Sequence, residues 1–158
     1  MISAKEWIDR HYPNKAERKY VEIVDLTGLD LTGDLNVSDF SWDTTVIING
    51  NPNLETVIDR KEWWKKTVIA LNPAPKGISA QEYLEANLSL SVRQSVQNLN
   101  LFDLNLFGAV DLSEFEGLIE LDISCNQLTS LILTSSPLLK MLYCYHNQLA
   151  NLILPINN

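Results

Sequence analysis

The chain of 158 residues carries 20 acidic and 12 basic side chains, a net charge of −8, and is 46% apolar, enough to bury the core of one domain or two small ones. Residues 1–77 hold 12 acidic and 10 basic side chains, whereas residues 78–158 hold 8 and 2; such a surface repels phosphate backbones and argues against nucleic acid as a ligand. There is no apolar run of about 18 residues and no basic-then-apolar leader, which argues against a membrane span and a signal peptide and for a cytoplasmic protein.

The first residues carry a helix-capping signal. In Ser3-x-x-Glu6 the hydroxyl can accept from the third amide of a helix while the glutamate reaches back to the cap, so a short amphipathic helix is predicted to start there. Pro13 ends it near Tyr12, and a second helical turn is expected from Lys15 to Tyr20. The opening recurs: Ile2-Ser-Ala-Lys-Glu6-Trp7-Ile8 returns 76 residues later as Ile78-Ser-Ala-Gln-Glu82-Tyr83-Leu84, with Ser91-Val-Arg-Gln94 starting the matching turn. After each opening the apolar spacing changes from helical to strand-like. Val21-x-x-Val24-x-Leu26-x-x-Leu29-x-Leu31 is answered by Val96-x-x-Leu99-x-Leu101-x-x-Leu104-x-Leu106, and Ser38-Asp39-Phe40 by Ser113-Glu114-Phe115. We read this as an internal duplication.

Asp43-x-x-Val46-x-Ile48-x-x-Asn51 continues the first copy, and then the pattern breaks. Residues 59–77 contain Trp63 and Trp64 and end in the Pro/Gly-rich stretch Asn72 to Gly77; they are expected to form a short helix over the open end of the first copy and a hinge. The expected organisation is residues 1–58, a helical cap plus two irregular units; 59–77, a Trp-containing capping segment and linker; and 78–158, a second helical cap plus three units.

The pattern is clearest near the end of the chain. Leu118-x-x-Leu121-x-Ile123-x-x-Asn126-x-Leu128 recurs 21 residues on as Leu139-x-x-Leu142-x-Cys144-x-x-Asn147-x-Leu149. Apolar residues at unit positions 1, 4, 6 and 11 with Asn at 9 resemble the short leucine-rich repeats of bacteria and some fungi. The resemblance implies an α/β fold, a leucine-rich-repeat solenoid with parallel β-strands on the concave face and short helical cap segments, used to bind proteins. It is fullest over 96–154, partial over 21–58 and absent from 59–77, and Leu29 and Leu104 stand where the family has Asn.

Within a unit, a strand at about positions 3 to 7 sends residues 4 and 6 inward and 3, 5 and 7 outward. The Asn at position 9 is expected to turn in and bond the backbone of neighbouring units. Outward positions of the second copy bring together Asn100, Phe102, Glu120, Asp122, Met141, Tyr143, Tyr145 and His146; aromatic and Met side chains dominate interface cores, so a protein partner is expected on this face. The alternative is self-association: Leu149, Leu152, Leu154 and Ile156 end the last unit with no polar cap behind them, an edge on which a homo-oligomer or filament would stack.

Signals for chemistry are absent. Cys125 and His146 share a unit position on adjacent strands, but no Gly-rich turn, oxyanion donor or orienting carboxylate accompanies them, so no catalytic residue is assigned. CxxC, HExxH, calcium-loop and phosphate-cradling spacings are missing, so neither a metal nor a cofactor is expected. The two cysteines, Cys125 and Cys144, fall at positions facing opposite ways, which argues against a disulfide and fits a reducing compartment. Asn36-Val-Ser38 and Asn87-Leu-Ser89 match the glycosylation sequon, expected to be idle in a chain without a leader.

Overall fold

A computed structural model describes residues 1–59 and 67–156. The expected helix carrying Trp63 and Trp64 lies outside the described residues. Both predicted capping boxes close. Ser3 Oγ accepts from the Glu6 amide at 3.1 Å while Glu6 Oε2 accepts from the Ser3 amide at 3.2 Å, starting helix α1 (Ala4–His11). Ser79 and Glu82 do the same, at 3.4 and 3.0 Å, for α2 (Ala80–Asn87). The second turn after α1 shrinks to a 3-10 turn at Arg18–Tyr20; its counterpart after α2 is a full helix, α3 (Leu90–Ser95), which Ser89 caps by accepting from the Val92 amide at 3.2 Å.

The strands are β1 (Ile23–Asp25), β2 (Gly33–Asn36), β3 (Thr45–Ile47), β4 (Leu54–Ile58), β5 (Val68–Ala70), β6 (Asn98–Asn100), β7 (Phe107–Asp111), β8 (Glu120–Asp122), β9 (Gln127–Ile132), β10 (Met141–Tyr143) and β11 (Asn151–Ile153). The fold is mixed α/β, and the named strands pair in parallel. One sheet runs β1-β3-β5-β6-β8-β10; behind it lie a pair, β2-β4, and a trio, β7-β9-β11. The chain shuttles between front and back, which is why no hairpin appears among the described residues.

The alternation that sends every second strand residue inward builds the core. Val24, Val46, Ile69, Leu99 and Leu121 stand side by side in register across the front sheet, none more than 1% exposed. Leu35, Val57, Val110 and Leu131 close the core from the back strands. Phe40 and Phe115, matched by the duplication, are buried in equivalent turns.

The segment expected as cap and linker, 59–77, behaves differently in its second part. Thr67, Ile69 and Leu71 alternate into the core, so Val68–Ala70 forms a strand between β3 and β6, with Ile69 opposite Leu99 and Ala70 opposite Asn100. The front sheet therefore continues from one copy into the other, and Asn72 to Gly77 follows as the linker into α2. The back is interrupted instead. Here α3 lies along β4, where Ser89 Oγ donates to the Leu54 carbonyl at 2.6 Å and Ser95 Oγ accepts from the Val57 amide at 2.8 Å. On β7, Gln81 Oε1 of α2 accepts from the Asp111 amide at 2.8 Å. Polar side chains thus stand in for a neighbouring strand at both edges. Among the described residues no helix is long and apolar enough to cross a membrane.

Candidate functional site

The outward positions of β6, β8 and β10 form two rows, Asn98–Glu120–Met141 and Asn100–Asp122–Tyr143, in lateral register. Each strand gives way to a turn that carries Phe102, Ser124 or Tyr145. Tyr143 and Phe102 are each 43% exposed and Tyr145 is 52% exposed, with the His146 ring packed edge-on against Tyr145 at 5.3 Å. Met141 and Glu120 are half-buried, and the Tyr143 hydroxyl lies 3.8 Å from the Met141 sulfur. All eight face residues expected from the sequence therefore lie along these strands and the turns that follow them.

Two of the eight also have a task inside the fold. Asn100 Oδ1 accepts from the Phe102 amide at 2.9 Å and Asp122 Oδ1 from the Ser124 amide at 3.0 Å, as Asp25 does for Thr27 at 2.9 Å. These side chains hold the turn that ends the strand. Burial, and then the charge of Asp122, push the Glu120 carboxyl above its usual range. Ser124 is completely buried, and its hydroxyl has no hydrogen-bond partner.

The turn next demands an unusual backbone. Gly28, Gly50, Asp103, Cys125 and His146 occupy the same unit position, and all have positive φ, from 51 to 68°. One residue later the Asn takes its expected place. Asn126 Nδ2 points at the carbonyls of Leu101, Ile123 and Ser124 at 2.8, 3.0 and 3.1 Å, and its Oδ1 accepts from the Leu104 and Leu106 amides, both at 3.0 Å. Asn51 and Asn147 make the corresponding bonds, each accepting from one amide, that of Leu31 or Leu128.

Around Cys125 and His146 the geometry adds little chemistry. The Cys125 amide donates to the Tyr145 carbonyl at 2.9 Å, and burial pushes the Cys144 thiol up. Both cysteines are free thiols, and among the described residues no group of three or more His, Cys, Asp or Glu is placed to hold a metal ion.

The expected self-association edge divides. Leu149 is half-buried and packs on the core, whereas Leu152, Leu154 and Ile156 are 43, 49 and 89% exposed. Leu152 and Leu154 continue the inward columns of Leu131 and Leu133, which are fully buried; they are open because no described element packs beyond β10 and β11.

Two polar centres carried no sequence signal. Arg18 is only 4% exposed: it donates to the Tyr12 carbonyl at 2.9 Å, to Asp9 at 2.8 Å and to Asp39 at 3.2 Å, with its guanidinium over the Phe40 ring. It borders a cavity of about 450 Å³ reaching Ile8 and Ile58. The second centre docks α2 on the first copy. Asn49 Nδ2 donates to the Tyr83 hydroxyl at 2.6 Å, that hydroxyl donates to the Asn72 carbonyl, and Asn87 Oδ1 accepts from the Gly50 amide at 3.2 Å. Both sequon asparagines are thus engaged, Asn87 here and Asn36 with the amide of Ser38 at 3.0 Å. Compared with protein-family models, with curated proteins and with solved structures, the chain matches none of them.

Proposed function

We propose that the chain is a leucine-rich-repeat solenoid of the short-unit kind, a non-catalytic interaction module that holds a protein partner on the outward face of residues 96–147. The observation that carries this reading is the exposure of three aromatic rings, Phe102, Tyr143 and Tyr145, on one face of a parallel sheet. Rigid rings on a fixed lattice of strands lose little entropy on binding and bury large areas. The repeat architecture is supported by the Asn that recurs with the same backbone bonds and by the left-handed residue before it. Glu120, Met141 and His146 surround the rings, while Asn100 and Asp122 serve both turn and face. The two unpaired thiols support a reducing, cytoplasmic setting.

The test is retention of partner proteins by the immobilised chain. Tyr143→Ala with Tyr145→Ala should keep circular dichroism and melting and lose the retained proteins; unchanged retention refutes the reading. A second reading, stacking of copies through the open end, is favoured by the exposure of Leu152 and Leu154 where equivalent leucines are buried. Light scattering decides it: a strict monomer at high concentration, unchanged by Leu152→Glu, removes it.

A further inference from the structure

The charges on the face select the chemistry of what it can hold. Over the strands and turns at 98–103, 120–125 and 141–146 there are three carboxylates, Asp103, Glu120 and Asp122, and no Lys or Arg. The basic residues of this half are Arg93, whose guanidinium pairs with Glu114 on α3's side, and Lys140, outside these stretches. Within the sheet, Asp122 is flanked by Asn100 and Tyr143, and Glu120 by Asn98 and Met141, each neighbour about 4.8 Å away across the strands. The upward shift of the Glu120 carboxyl agrees with this placement: burial and then the like charge of Asp122 cause it. In the turn after β8, Ser124 holds the unit position of Phe102 and Tyr145, fully buried and with its hydroxyl unpartnered.

Three kinds of segment can be compared on this surface. An acidic one meets uncompensated carboxylates. An apolar one buries them without a counter-charge, which is costly. A cationic one gains charge-assisted bonds to the carboxylates and lies over ring faces within the same few ångströms.

We propose, resting on the reading of this face as a protein-binding surface, that its partner presents a basic segment whose guanidinium or ammonium groups pair with Glu120 and Asp122 and lie over Tyr143, Tyr145 and Phe102. The full chain is titrated into a short labelled peptide alternating Arg and Ser, followed by fluorescence anisotropy at low and at physiological salt. Saturable binding is expected, weaker with added salt, and weaker by about tenfold or more for Glu120→Gln with Asp122→Asn. These amides keep an oxygen on Asp122's turn bond, so folding is preserved, as melting verifies. The control is Asp34→Asn with Glu55→Gln, which removes the same charge from exposed positions on β2 and β4 and should leave affinity within about twofold.

No binding of the Arg peptide, equal weakening by the control pair, or tighter binding of a Glu-Ser peptide overturns the basic partner. If the basic peptide fails while proteins are still retained in a Tyr143- and Tyr145-dependent way, the face stands and only the partner's charge is refuted. If retention also survives loss of both tyrosines, both readings fall.

Discussion

Replacing Asn126 by Ala removes the acceptor of two buried amides at once. In the folded chain Asn126 is 6% exposed and its Oδ1 serves Leu104 N and Leu106 N, while its Nδ2 serves three carbonyls. Of those carbonyls, that of Ser124 also accepts from the Asp103 amide and that of Ile123 from Asn147 Nδ2, so both keep a partner. Each amide left unsatisfied in the interior costs about 1–3 kcal/mol, so the two together cost about 2–6 kcal/mol, a large part of the roughly 5–15 kcal/mol that holds a domain folded. Asn147 makes the matching bonds one unit later but serves a single amide, Leu128 N, and is partly open to water; its replacement should cost about 1–2 kcal/mol. Urea unfolding of the two variants, followed by circular dichroism, measures the difference. Hydrogen exchange localises it: the Leu104 and Leu106 amides should lose protection in Asn126→Ala. Equal costs for the two asparagines, or unchanged exchange at Leu104 and Leu106, would refute the view that this side chain completes the backbone of the turn.

Cys125 has φ 57° where the first copy uses Gly28 and Gly50; Cys125→Gly should therefore be neutral or stabilising by up to about 1 kcal/mol, and Cys125→Val destabilising by more than about 1 kcal/mol, and equal melting of the two would discount the strain. Hydrogen bonds from Lys5 and then Arg18 hold the Asp9 carboxyl down from 3.8 to about 2. A depressed acid contributes stability above its unfolded pKa and loses it as pH falls through the folded value, so melting temperature should drop between about pH 4 and pH 2 less steeply in Asp9→Asn than in the parent chain. Arg18→Ala should cost about 1–3 kcal/mol in urea unfolding, since it releases Asp9, Asp39 and the Tyr12 carbonyl together and uncovers Phe40; a surface lysine such as Lys19, replaced the same way, should cost under about 0.5 kcal/mol.

What could be read from the sequence was whatever depends on local spacing. The capping boxes at Ser3 and Ser79 are satisfied within four residues, so the letters alone carry them. The inward positions of each unit and the Asn before its return limb are legible for the same reason: the period repeats, and the side-chain alternation is a property of the strand. What escaped depends on residues far apart. Val68–Ala70 looked like part of a cap because the neighbouring Trp and Lys residues obscured a three-residue strand, whose identity rests on β3 and β6 accepting it from either side. Arg18 carried no signal of its own in the sequence; one of the carboxylates that bury it, Asp39, lies 21 residues away. The Asn49–Tyr83 contact spans 34 residues, and no periodicity encodes it. On the face itself the sequence located the exposed rings but not the second task of Asn100 and Asp122, since any outward polar side chain looks alike until the turn it closes is seen.

The replacement of a back strand by α2 and α3 bears on how such a chain can grow. Between β4 and β7 no described strand stands in the back layer beside β5; α3 lies along β4 and α2 reaches β7, so two helices cover the two strand edges. A back strand can thus give way to helices while the front stays whole, since β5 still pairs with β6, and the outward rows of both halves remain on one uninterrupted ruler.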